Sequence, residues 1–130
     1  MIKLNYTILY VNDVTKTITF YEQAFGLPRK FITPENDYGE LLTGETTLAF
    51  VALGLAKTNL SGGFKASNTN EKPFGFNISF SSDDVPSTVA QALQAGAVQL
   101  EEIKVKPWGQ TVAYLKDPDG FLIEICSPMG

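Results

Sequence analysis

Glu124 is the residue on which chemistry in this chain turns, because it stands in the middle of an apolar strand pattern, Phe121-Leu-Ile-Glu-Ile-Cys126. A carboxylate there is either on a solvated sheet face or in a lined cavity where something pairs with it. Neither helix nor hairpin spacing supplies a buried partner, so both readings stay open. The chain has no histidine and one cysteine. Triads, facial triads and zinc motifs built on imidazole are therefore excluded, and any chemistry falls to Glu, Asp, Tyr, Lys, Arg or Cys126. A lone Cys on a strand reads first as a small buried hydrophobe. Trp108, between Pro107 and Gly109, is placed on a loop beside the sheet. Its ring could stack on a flat ligand or cover the edge of the core.

The elements that must position these residues are periodic. Asp117-Pro118-Asp119-Gly120 separates two apolar arms, Val112 to Lys116 and Phe121 to Cys126, as a β-hairpin turn would. Alternation along the second arm turns Ile123 and Ile125 to a core and Leu122, Glu124 and Cys126 the other way. At the start of the chain, Leu4 to Val11 alternates as a strand, with Tyr6, Ile8 and Tyr10 on one face. Asp13 caps a helix whose stripe is Val14, Ile18, Tyr21 and Phe25, ended by Gly26. Strands are expected at Arg29 to Thr33, Tyr38 to Leu42 and Thr46 to Leu53.

The same order resumes after Pro73. Gly75 to Ser81 reads as a strand, Asp83-Asp84 as a cap, and Val85 to Ala95 as a helix with Val85, Val89 and Leu93 inward, ended by Gly96. Strands follow at Val98 to Val105, Thr111 to Lys116 and Phe121 to Ser127. Val14 and Val85 are equivalent at an offset of 71, which also pairs Tyr6 with Asn77. The chain is an internal repeat of two βαβββ modules. They span residues 1–56 and 74–130, joined by a Gly-, Ser- and Asn-rich loop at 57–73, in one domain overall. The fold class is α+β: paired modules forming a curved mixed sheet around a cleft, with the helices outside. Tyr6 and Asn77 would face that cleft, whereas the module-one counterpart of Glu124 falls near Ala49, where no polar side chain stands.

With 130 residues, 44% of them apolar, the chain can bury a core without staples. A formal net charge of -4 gives no basic footprint, so neither nucleic acid nor an anionic membrane is an expected partner. The N-terminal residues enter a strand pattern directly and no run reaches membrane-spanning length, so a cytoplasmic protein is expected.

The repeat, together with Phe20-Tyr-Glu-Gln-Ala-Phe-Gly-Leu27, Gly75-Phe-Asn-Ile78, Pro107-Trp-Gly-Gln110 and Asp117-Pro-Asp-Gly-Phe-Leu-Ile-Glu124, resembles the vicinal oxygen chelate superfamily. That superfamily includes glyoxalase I, the bleomycin-resistance proteins, fosfomycin-resistance enzymes and extradiol dioxygenases. The resemblance covers essentially the whole chain and implies the fold rather than a reaction. Its metal enzymes hold a divalent ion with a His or Gln early in the first strand of each module and a Glu near the end of the last strand. Those positions fall here on Tyr6, Asn77 and Glu124, with the fourth in the run Leu48-Ala49-Phe50. Only one strong oxygen ligand remains, so no metal, cofactor or catalytic residue is expected. The resemblance then implies a protein of the bleomycin-resistance kind: a metal-free homodimer binding a drug-like, planar or cationic small molecule. Glu124 would anchor that ligand, Trp108 would stack on it, and Tyr6, Tyr10, Asn77 and Gln110 would orient it. The alternative is a lyase or isomerase like glyoxalase I with an atypical metal site, in which Glu124 is the surviving ligand or base.

Overall fold

The computed structural model of the chain describes residues 1–129. The fold is α+β, and it forms two compact units, each with its own mixed sheet. The first comprises Met1–Glu22 and Gly26–Ala66, and the second Gln23–Phe25 with the chain from Ser67 onward. The boundary between Ala66 and Ser67 falls inside the 57–73 segment.

In the first unit β1 (Tyr6–Val11) leads to α1 (Val14–Phe25), then β2 (Arg29–Ile32), β3 (Tyr38–Leu41), β4 (Thr47–Ala52) and the single turn α2 (Leu53–Ala56). The sheet order is β1-β4-β3-β2, so the first strand pairs in parallel with the last. Asp13 caps α1 by accepting from the Lys16 amide, and Gly26 ends it in the left-handed conformation at φ 67°. Helix and sheet meet closely at Gly39, where an added Cβ would lie 2.5 Å from Ile18 Cδ1. Leu9, Val11, Val14, Ile18, Tyr21 and Phe50 are fully buried, each apolar side chain contributing roughly 1.5 to 3 kcal/mol.

The second unit repeats the plan with β5 (Ile78–Ser81), α3 (Val85–Ala95), β6 (Val98–Gln99), β7 (Lys104–Val105), β8 (Thr111–Lys116) and β9 (Leu122–Cys126). Again the first strand, β5, pairs in parallel with the last, β9, and β8 follows antiparallel with β6 and β7 along its outer edge. Asp84 caps α3. Val85, Val89 and Ala92 are the buried side of that helix, whereas Leu93, expected inward, is exposed. Phe80 of β5 stacks on Phe25 at 4.7 Å between ring centres.

Two expected strands differ. Gly75 to Ser81 is strand only from Ile78, because Phe74 to Asn77 turn locally, with the Phe76 amide bonded to the Phe74 carbonyl. Val98 to Val105 is broken into β6 and β7, with a two-residue slip in register against β8 between them, so the chain bulges through 100–103. The Asp117–Gly120 hairpin is as expected. Buried Asp117 accepts from the Asp119 and Phe121 amides at 2.9 Å each, and Gly120 takes φ 93°.

Candidate functional site

Glu124 is the third residue of β9, and alternation turns it away from the core side held by Ile123 and Ile125, both fully buried. Its cross-strand neighbours are Ser79 on β5 and Tyr114 on β8. Both reach it: Ser79 Oγ donates to Oε1 at 2.6 Å, and the Tyr114 hydroxyl donates to Oε2 at 3.0 Å. Opposed residues on adjacent strands point to the same face, so this contact follows from register alone. The expectation that hairpin spacing offers Glu124 no partner is therefore corrected. The turn closes on Asp117, whose amide donates to the Phe121 carbonyl, and counting outward from that pair sets Lys116 opposite Leu122 and Tyr114 opposite Glu124. Ser79 was reachable only through the parallel pairing of β5 with β9.

Both carboxylate oxygens thus accept from neutral hydroxyls, and among the described residues no cation pairs with Glu124. Such bonds to a charged acceptor are worth about 1.5 to 3 kcal/mol when sheltered and less at half-burial. The bond to Glu124 pushes the Tyr114 phenol above its usual range, helped by burial and by the negative charge of Glu124. Cys126, on the same face, is half-buried rather than a core residue, with its Sγ 3.6 Å from Ser79 Oγ.

Trp108 and Gln110 form a second group in the same unit. The turn Lys106–Gln110 is closed by the Lys106 amide donating to the Gln110 carbonyl at 2.7 Å. The Trp108 indole N–H donates to Gln110 Oε1, and Gln110 Nε2 donates to the Ser127 carbonyl, each at 2.8 Å. Both ends of the Gln110 amide are engaged in holding the indole, which is 62% exposed and so does not cover the core. Asn77 is exposed just ahead of β5, and the strand residue bonded to Glu124 is Ser79.

Tyr6 and Tyr10 belong to the first unit and share a sheet face with Ile8, Ala49, Val51, Tyr38 and Glu40. Tyr6 is half exposed, and Tyr10 meets the Phe64 ring edge-on at 4.8 Å. Glu40, which sequence reasoning did not single out, stands opposite Ala49 and is 6% exposed. The Tyr38 hydroxyl donates to Glu40 Oε2 at 2.7 Å, and Lys30 Nζ lies 3.6 Å from Oε1. Burial, followed by that bond, pushes the Tyr38 phenol well above its usual range. The module-one rung expected to be apolar therefore does carry a carboxylate, on β3 instead of β4.

The metal of the resembling enzymes does not fit these residues. Around Glu124 stand a serine, a protonated phenol and one thiol, with both carboxylate oxygens already accepting. Among the described residues no three His, Cys, Asp or Glu side chains gather as a metal-holding group.

Comparison with known proteins places this geometry. Residues 4–130 match the glyoxalase-like domain. YraH of Bacillus subtilis is 30% identical over 118 residues, covering 90% of this chain and 91% of that one. A lactoylglutathione lyase of Arabidopsis thaliana is 29% identical over 130 residues, covering 92% of this chain, which spans only 42% of that protein. A crystal structure of a glyoxalase/bleomycin resistance protein/dioxygenase family enzyme from Burkholderia phytofirmans superposes with a TM-score of 0.83 at 23% identity, covering 98% of this chain and 100% of that one. With its two βαβββ units, each carrying a Glu–Tyr pair on the sheet face away from its helix, the chain belongs to the glyoxalase-like domain family, within the vicinal oxygen chelate superfamily.

Proposed function

We propose that the protein is a metal-free, homodimeric small-molecule binding protein of the bleomycin-resistance kind, and that Glu124 anchors a cationic group of its ligand. One observation carries this reading: a half-buried carboxylate held by two neutral donors, with no cation of the chain's own paired to it among the described residues. A ligand ammonium meeting it gains a charge-assisted hydrogen bond without the cost of ordering the acceptor. The exposed Trp108 ring, fixed by Gln110, adds a stacking surface for a planar body.

The test is amide NMR titration with benzylamine, the simplest planar cation, on wild type and Glu124→Gln. Shifts centred on Ile123 to Ile125 and Tyr114 are expected, with affinity lowered by roughly 1 to 3 kcal/mol in the variant. Equal affinities in two equally stable proteins would remove the anchor role.

The likeness to proteins named lactoylglutathione lyase favours a second reading, a lyase of that type. It requires that the chain, supplied with Zn²⁺ or Ni²⁺, form or break down lactoylglutathione, and that Glu124→Gln abolish this together with metal uptake. An inactive, metal-free wild type removes it.

A further inference from the structure

Tyr114 stands between two opposite charges, those of Glu124 and Lys106. Its hydroxyl donates to Glu124, and the Lys106 ammonium sits over its ring, 5.7 Å from the centre. That position is within the range in which a cation is attracted to an aromatic face. The backbone of Lys106 is fixed by the turn through Gln110, and the Gly109 amide also donates to the Lys106 carbonyl at 2.8 Å. No carboxylate among the described residues pairs with Lys106, whereas its neighbour Lys104 lies 3.7 Å from Glu101.

The bulge between β6 and β7 opens a pocket of about 290 Å³ here, lined by Glu101, Glu102, Lys104, Lys106, Val112 and Tyr114. At a liquid share of roughly 30 Å³ per water, that is room for one end of a small organic molecule. Val112 and the Tyr114 ring are its apolar lining, and two glutamates and two lysines its charged lining, of which Glu101 lies beside Lys104. Tyr114 and Glu124 face the same side of the sheet, since they are paired across β8 and β9. A molecule lying over the phenol therefore meets an ammonium at one end and a carboxylate at the other.

We infer that the ligand is dipolar: it places a carboxylate or similar anion beside Lys106 in this pocket, an apolar body over Tyr114 and Val112, and its cationic group at Glu124. This rests on the assignment of Glu124 as the cation anchor and adds the anionic subsite and the ligand's charge pattern. A ligand with only one of the two charges leaves the other protein charge unanswered, which is how charge complementarity confers selectivity.

A matched set of probes separates the two assignments: benzylamine, benzoate, and 4-(aminomethyl)benzoate, which carries both charges at opposite ends of one ring. By amide NMR titration the dipolar compound should bind about tenfold or more tighter than either single-charge compound. Its shifts should extend from Ile123–Ile125 to Lys104, Lys106 and Val112. Lys106→Met should reduce its affinity to that of benzylamine and leave benzylamine unchanged, while Lys106→Arg should restore the advantage. Should benzylamine depend on Glu124 while the added carboxylate gives no gain, or should Lys106→Met bind like wild type, the anionic subsite is overturned and the anchor stands. Benzylamine binding that ignores Glu124→Gln, or no shift from any of the three, overturns both.

Discussion

Tyr114 hands its phenolic hydrogen to Glu124 across the β8–β9 rung, at the place in the sheet where the first unit sets Glu40 opposite Ala49. The two units thus keep a carboxylate on the same sheet face but mount it on different strands. Tyr114→Phe removes one of the two donors to Glu124. The melting temperature should fall by the equivalent of about 1 kcal/mol, and the fold should persist.

The same pair, with Tyr38 and Glu40, gives an alkaline signature. Both phenols are held above their usual range in the folded chain, so the unfolded chain loses those protons first as pH rises. Their contribution is fully present below the unfolded phenol value of about 10 and is lost as pH climbs through the folded values. Urea unfolding followed from pH 8 to 11 should show stability declining above about pH 10. The decline should be shallower in Tyr38→Phe with Tyr114→Phe, and identical slopes would contradict the assignment.

Gly120 is the most sensitive position in the hairpin. A Cβ there would lie 2.6 Å from the backbone carbon of Asn68, and φ 93° already disfavours any side chain. Gly120→Ala should cost about 2 kcal/mol or more, measured by chemical unfolding. Asp117→Ala, which strips two buried amides of their acceptor, should cost about 1 to 3 kcal/mol.

Much of this framework is legible from residue order alone, because Asp13, Gly26, Asp84, Gly96 and the Asp-Pro-Asp-Gly turn act through local chemistry. The break in Val98 to Val105 was not, since a bulge leaves no mark on apolar alternation and is defined only by the partner strand. Glu124 stood out as a charge in an apolar run. Ser79 and Glu40 did not, because a serine or glutamate in a short strand looks like ordinary surface until parallel pairing or burial shows what it faces.

Elemental analysis of the purified protein should return well under one Zn, Ni, Fe or Mn per chain. The reason is the donor set: one carboxylate whose oxygens are both engaged, flanked by hydroxyls that keep their hydrogens. Stoichiometric metal would move the lyase reading ahead of the binding reading.

Sedimentation at micromolar concentration should give a species twice the 14.2 kDa of the chain. Among the described residues each sheet leaves the outer edges of its end strands unpaired, and Tyr6, Ile8 and Phe31 on the face of the first sheet are 40 to 50% exposed. Pairing two copies is a common means of covering such surfaces. A monomer would contradict the dimer and leave the assignment of Glu124 untouched.

During synthesis, β5 must wait for β9, since Ser79 and Glu124 are 45 residues apart in the chain. At roughly 5 to 20 residues per second, that leaves a nascent strand without its partner for several seconds. Its sequence suits the delay. Ile78-Ser-Phe-Ser81 is apolar on one face only, and Asp83-Asp84 follows at once, a charged stop of the sort that keeps an unpaired strand from joining its neighbours on other chains. Ser79 therefore serves twice: it keeps the waiting strand polar on one side, and it becomes a ligand of Glu124 only when the last strand has arrived.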